Sequence, residues 1–448
     1  MTRYIFVFIH LCLLLQSVRS AKLHCGSDNQ LNHPEVIRGH FMVRMREFIN
    51  THKLYEILSI TLNEGYTVHS IYENTRTLHL STATNDTVIR LLKHPDVDFV
   101  ECDRTVSVAK TMFLSPKRNI QETIPSWGLD RINQRALPLD NEWNYSSHNG
   151  TGVHIFIIDT GISYSHPEFQ GRLSDGYNTI WSWKKRTPDW EDGNGHGSHC
   201  AGIAAGDTFG VANGATLHAV RVLNDRGWGP LSGVIKGVDW VTSYRMAHPH
   251  PSVASLSLGT EESPSLNAAI YDSILAGVVY SVAAGNEAAD ACTTSPASTN
   301  GVIAVSAIDI DDLSPSWANY GDCVDIYAPG VAITSAWKGR KINTISGTSM
   351  ACPHVTGAIA LLLQEKPTST PLQVSEHLIK YSTYYIPTNR NQTKLLYTGN
   401  GYLTQPVPEQ HSEVPNTPPN VCKQSTSNCI ENSECCSGHC WKYNSSCR

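Results

Sequence analysis

The stretch "ISGTSMACPHVTG", residues 345–357, carries four side chains able to attack or to move a proton: Thr348, Ser349, Cys352 and His354. Taken alone, it reads as the start of a buried helix. A Thr or Ser ahead of "MACPHVTGAIALLLQ" caps free backbone N–H groups, and Pro353 is tolerated in a first turn. Other chemistry-bearing residues stand at comparable places. The apolar run "VHIFIID" ends on Asp159, and a carboxylate closing such a strand must be paired or hydrogen-bonded. In "DGNGHGSHCAGIAAG", residues 192–206, three glycines bracket His196 ahead of a helix of small residues, which leaves the imidazole unobstructed. "VAAGN" delivers Asn286, an amide able to donate to a developing oxyanion. "SLSLG" ends at Ser257, Leu258 and Gly259, a backbone able to pair with an extended peptide. Asp, His, Asn and Ser at strand ends or helix starts are the parts of acyl-transfer catalysis.

Such parts need a scaffold, and residues of about 125–400 provide one. "VHIFIID", "LHAVRV", "SVASLSL", "VVYSVAA" and "VIAVSA" read as buried strands, with "LSGVIKGVDWVTSY" and "LNAAIYDSILAG" as helices between them. Continuous apolar strands alternating with helices predict a parallel α/β sheet covered on both faces, with reactive groups at the carboxyl ends of the strands. Residues 39–106 alternate shorter patterns: "GHFMVRM", the amphipathic "INTHKLYEILSITLNEG", "TVHSIYEN", "TLHLSTA", "NDTVIRLLKHPD" and "VDFVECDRTV". That βαββαβ order predicts a small ferredoxin-like α+β unit, without a cluster of catalytic residue types. The dibasic pair Lys117–Arg118 follows it. Residues 405–421 hold five prolines, a density that excludes a packed element and indicates a semi-extended tether.

The 448 residues suffice for about three domains, and a net charge of -6 gives no reason to expect nucleic acid as a partner. Residues 1–20 read as a secretory signal: Arg3, the apolar run Ile5–Leu15, then Val18 and Ser20 before a cleavage site. The run is too short to span a bilayer, and no later segment is longer. The expected location is therefore extracellular, where the 13 cysteines become candidates for disulfides. Five N-x-[ST] sequons, at Asn85, Asn144, Asn149, Asn391 and Asn444, fit that compartment.

"IIDTGI", "GHGSHCAG", "AAGN" and "SGTSMACPHVTG", in that order, resemble the subtilisin-type serine proteases, and "HCAG" resembles their proteinase K branch. The resemblance covers about 125–400, from "WGLDRI" onward, and extends to residues 39–108 as the family's inhibitory propeptide. It implies that Ser349 is the nucleophile, His196 its base, Asp159 the partner of the base and Asn286 the oxyanion donor, with Thr348 as a supporting cap. Ser257–Gly259 would bind substrate, and Cys352, His354 and His199 would turn to the interior. It also implies a disulfide between Cys292 and Cys323, and a calcium ion held by Asp325 with the carbonyls of Asn300 and Val302. Ser198 and Cys352 are mild departures from the family pattern. Cys200 would lie beside the catalytic His; whether Cys352 pairs with it is open. First cleavage is expected near Lys110–Thr111, with trimming after Arg118. The division that results is signal 1–20, propeptide 21–118, peptidase 119–404, linker 405–421 and a cysteine-rich module 422–447.

That module reads C-x6-C-x5-CC-x3-C-x6-C. A segment so short stays folded only when bridged, and spacing alone leaves fifteen pairings. The pattern resembles the inhibitor cystine knots of conotoxin-like peptides, which implies Cys422–Cys436, Cys429–Cys440 and Cys435–Cys447. The function expected is a secreted, monomeric endopeptidase of broad preference, made as a precursor, acting on protein or peptide substrates and inhibited by its own propeptide. No cofactor is expected for catalysis, and calcium would be structural. The alternative is a toxin or binding protein whose active part is the cystine-knot module. On its tether, the module is expected to raise the protease's concentration at a bound substrate.

Overall fold

A computed structural model describes residues 21–25, 36–46, 67–108, 125–143, 148–181, 188–384, 394–399 and 402. The signal, the helix read at "INTHKLYEILSITLNEG", the Lys117–Arg118 pair, the Pro-rich linker and the six-cysteine module lie outside the described residues.

Strands with no polar interruption must be covered on both faces. The strand His154–Asp159 shows how this happens: Ile155 and Ile157 point into one buried cluster, Phe156 and Ile158 into another on the opposite side. Seven parallel strands run in the order 177–178, 216–221, 154–159, 252–256, 279–283, 303–308 and 326–329. Residues 394–395 continue the parallel set, and 383–384 close it antiparallel. From the Asp159 strand the chain goes outward to 216–221 and then returns across it to 252–256. Strand order therefore reverses at Asp159, the point where such sheets open a crevice.

The helices His196–Ala205 and Thr348–Glu365 fill one face, and Leu231–Ala247 with Pro264–Leu275 fills the other. The first pair approaches closely because its contact is made of small residues. A Cβ on Gly357 would stand 2.5 Å from Cβ of Val211 and 2.8 Å from the Ala204 carbonyl oxygen. The run read as one strand, "SVASLSL", is two. It stops at Leu256, and Leu258–Glu261 turns into a different, antiparallel sheet.

Residues 36–108 form an antiparallel sheet in the order 97–108, 36–45, 77–81, 67–72, with the helix Asn85–Lys93 packed on it. The spatial order 4-1-3-2 is what the βαββαβ pattern predicts. Cys25 and Cys102 are joined by a disulfide, a pairing the sequence left open. One face of this sheet docks on the helices Leu231–Ala247 and Pro264–Leu275. Met42, Tyr72 and Val106 belong to the core beneath it. Asp103 accepts from the N–H and hydroxyl of Ser232 at 3.0 and 2.6 Å, and Glu101 accepts from the Ser265 N–H at 2.8 Å. Both helix N-termini thus receive a carboxylate, which satisfies orphan donors and complements the helix dipoles. Asp272 takes Arg44 at 2.7 Å and Arg76 at 2.8 Å.

The tight helix contact gives the first prediction. Gly357→Ala should destabilise the peptidase unit by about 1–3 kcal/mol through overpacking, read as a lowered Tm.

Candidate active site

Asp159 is buried at the carboxyl end of its strand, and its environment answers the demand for partners. It accepts the Thr160 N–H at 2.7 Å, and both of its oxygens lie 2.9 Å from His196 Nδ1. His196 opens its helix behind Gly195, whose φ of 117° is the left-handed conformation that suits glycine. A Cβ on Gly197 would meet the Gly161 carbonyl oxygen at 2.2 Å, so only glycine lets the two turns touch.

A residue that the sequence reading missed holds this corner together. Asp192 accepts five hydrogen bonds: from the N–H groups of Asn194, Gly195 and Ser198, and from the hydroxyls of Ser198 and Thr160. It ties the start of the His196 helix to the residue after Asp159. The available signal was an Asp four residues before His196 in a glycine turn, where an acid caps a helix start. Ser198 also accepts the Ser163 N–H at 2.9 Å, so the hydroxyl is used from both sides.

Of the four candidates in residues 345–357, only Ser349 sits at the crevice with its hydroxyl on the neighbouring strand end. It is the second residue of its helix and donates to the Ser257 carbonyl at 3.2 Å, while the Ser257 hydroxyl donates to the Ser349 carbonyl at 3.0 Å. Cys352 is fully buried, 3.5 Å from the hydroxyls of Ser255 and Ser281, and burial pushes its thiol up to about 11. His354 donates from Nδ1 to the Met350 carbonyl, and burial pushes it down to about 4. His199 spends Nε2 on the carbonyls of Ile333 and Asn343, and burial, with His196 next, takes it to about 3. All three are interior side chains.

Thr348 does not cap the helix. Gly347 occupies the N-cap, where no side-chain cap bond forms. The Thr348 hydroxyl and N–H both donate to Asn286 Oδ1 at 2.9 Å, and the hydroxyl accepts from the Gly285 N–H at 3.1 Å. With Oδ1 held by Thr348, the amide turns its Nδ2 toward Gly347. A Cβ on Gly347 would stand 3.2 Å from that Nδ2 and 3.6 Å from the Ser349 nitrogen. Two donors therefore converge on one small volume beside the Ser349 hydroxyl, the geometry that stabilises an oxyanion.

Cys200 wedges between the two helix starts, its sulfur 3.9 Å from His196 Nδ1 and 3.4 Å from the Ser349 carbonyl. Cys200 and Cys352 are both free, and burial raises the Cys200 pKa. His196 Nε2 is buried without a hydrogen-bond partner, which leaves it as the acceptor for a proton from the crevice. Burial is the largest influence and opposes the imidazolium, but the Asp159 carboxylate and Cys200 together outweigh it, and His196 is held well above its ordinary range.

The end of strand 97–108 lies along this crevice. Val108 and Ser107 pair antiparallel with Leu258 and Gly259. On the other edge, Ser107, Val106 and Thr105 pair with Trp228, Gly229 and Pro230.

Cys292 and Cys323 are joined by a disulfide. Asp325, expected to hold calcium, accepts the Ala304 N–H at 2.9 Å, and Val302 is buried nearby in sequence. One carboxylate and two carbonyls supply hard oxygens but fewer than the six to eight that Ca²⁺ takes, so water would have to complete the shell. Asn85 is exposed. Asn149 is half-buried, its Oδ1 accepting from the N–H and hydroxyl of Thr151. Asn144, Asn391 and Asn444 lie outside the described residues, as do Cys422, Cys429, Cys435, Cys436, Cys440 and Cys447.

The Subtilase family model matches residues 150–401. An extracellular serine proteinase of Thermus sp. is 42% identical over 394 residues, covering 82% of this chain and 91% of its own length. Alkaline serine exoprotease A of Vibrio alginolyticus is 41% identical over 74% of this chain and 60% of its own. The crystal structure of a cold-adapted subtilisin-like serine proteinase superposes with a TM-score of 0.57 at 44% identity, covering 60% of this chain and 97% of that one. The chain belongs to the subtilase family. It is a subtilisin-like serine endopeptidase, and among its described residues no helix is long and apolar enough to cross a membrane.

Two predictions follow from the hydrogen bonds. Asn286→Ala should lower kcat by about 10²–10³ with little change in KM. Thr348→Val should lower it by up to about tenfold, by removing one of the two hydrogen bonds that hold Oδ1 and loosening the amide. The raised His196 pKa sets the pH profile. The base must be neutral, so kcat/KM should fall as pH drops through a limb lying above 6.5. Asp159→Asn removes the charge that raises the pKa and leaves the burial that lowers it. The limb should then move to lower pH while turnover falls about 10⁴-fold; a limb that stays in place would contradict the assigned cause.

Proposed function

We propose that this chain is a secreted endopeptidase of the proteinase K branch, made as an inactive precursor in which residues 39–108 act as inhibitor. In this reading Ser349 Oγ attacks the scissile carbonyl and His196 Nε2 takes its proton. Asp159 holds the imidazole tautomer and stabilises its charge, and Asn286 Nδ2 with the Ser349 N–H receives the oxyanion. Rotation of the Ser349 hydroxyl away from the Ser257 carbonyl begins the cycle. Cys200 beside His196 supports the branch, and the extracellular relative supports export.

One observation carries the precursor reading. Residues 105–108 occupy the place of a substrate strand, hydrogen-bonded on both edges by 228–230 and 258–259. Contacts of this kind are made by main chain and take little account of side chains, which fits a broad preference. A chain held this way has its carboxyl side leading to the bond near Lys110–Thr111, with later trimming after Arg118. The enzyme acts as a monomer on protein or peptide substrates. Calcium at Asp325, with the carbonyls of Asn300 and Val302, would serve stability only. The six-cysteine module, paired as a cystine knot, would target the enzyme to its substrate.

The test is to compare secreted wild-type and Ser349→Ala chains. The wild type should begin beyond residue 108 and hydrolyse peptides; the variant should keep residues 39–108 covalently attached and be inactive. An active mature enzyme that retains those residues in one chain would refute the precursor reading.

A further inference from the structure

Away from Ser349, the sheet of residues 36–108 gathers groups that the peptidase reaction does not use. His40 Nδ1 lies 3.1 Å from His79 Nε2, which lies 3.5 Å from Asp103 Oδ2. One ligand atom from each of the three residues falls within 4.8 Å of the others. A tetrahedral ion with bonds of about 2.0–2.1 Å has ligand–ligand edges of about 3.3 Å. Two of the separations are already close to that value. The three residues come from adjacent strands: His79 stands opposite Met42, and Cys102, before Asp103, stands opposite Phe41.

We propose that His40, His79 and Asp103 form a binding site for zinc or a similar divalent transition ion, with water in the fourth position. Asp103 is 1% exposed, and among the described residues no Lys or Arg forms an ion pair with it. A buried carboxylate in that position gains from a cation placed against it. Two imidazole nitrogens complete a donor set that suits zinc better than calcium. His79 is buried, and its Nε2 is the nitrogen that faces both His40 and Asp103. The exposed His69, its ring centroid 4.9 Å from that of His79, borders the site.

The location gives the ion a consequence. Asp103 also holds the N–H and hydroxyl of Ser232, at the start of the helix Leu231–Ala247. An ion on Asp103 would stiffen the sheet at the point where it grips the peptidase unit. Zinc should therefore slow separation of the two, a consequence that rests on the precursor reading.

The binding itself is tested on the full chain carrying Ser349→Ala. Zn²⁺ is titrated in competition with a chromophoric chelator, and Co²⁺ is followed by its visible absorption. His40→Gln, at a half-buried position, and His79→Gln should each bind one equivalent fewer in the tight class. The affinity lost should exceed about tenfold, the loss that even an indirect partner of a ligand produces. The tetrahedral Co²⁺ bands should weaken in parallel. Unchanged stoichiometry and spectrum in both variants would overturn the site. In chains with an active Ser349, Zn²⁺ should delay the appearance of peptidase activity in the wild type but not in His40→Gln. Equal delay in both would overturn the coupling, whatever the titration shows.

Discussion

A carboxylate buried at the end of an apolar strand is the constraint from which the rest of this site is built. Asp159 cannot remain there without donors, and the fold provides the Thr160 N–H and the His196 imidazole. Each of those donors must itself be held. Thr160 is anchored through its hydroxyl to Asp192, and Asp192 in turn fixes the turn and the first residues of the His196 helix. The ion pair that satisfies Asp159 also raises the basicity of His196 against the effect of burial. Stability of the strand end and strength of the base are therefore one interaction seen from its two sides.

The second requirement is proximity. Ser349 and His196 come from helices separated by about 150 residues of chain, and both pack on the same face of the sheet. Gly357 and Gly197 let the backbones approach where a methyl group would collide. The reciprocal hydroxyl–carbonyl bonds of Ser257 and Ser349 then join the Ser349 helix to the edge that pairs with an extended chain. Positioning of this kind costs little reorganisation during reaction, because the dipoles are already in place.

Much of this was legible in the sequence, and the reasons differ by residue. The five apolar strands were readable because burial on both faces leaves no polar periodicity. The glycine spacing around His196 was readable because only glycine fits such turns. Asp192 was not singled out, since an Asp in a glycine-rich turn looks like ordinary loop chemistry until its five donors converge. Thr348 was misread as a cap because local pattern cannot reveal that Asn286, 62 residues earlier, claims its hydroxyl. The break at Ser257 was invisible for a related reason: the alternation of Ser and Leu, and its burial, continue to Leu258 while the chain changes sheets. Cys25 and Cys102, 77 residues apart, meet only through the tertiary arrangement of two strands.

The strand Val97–Val108 belongs to two sheets at once, first between residues 36–45 and 22–24 in the small unit and then between 228–230 and 258–259 along the crevice. While the backbone beyond it is intact, occupancy of the crevice is a unimolecular equilibrium, set by tether geometry and indifferent to how dilute the protein is. Were the chain cut after this strand, the same contacts would obey mass action. Their hold would then weaken with every dilution. A single continuous strand can thus serve as a concentration sensor whose two regimes are separated by one broken peptide bond.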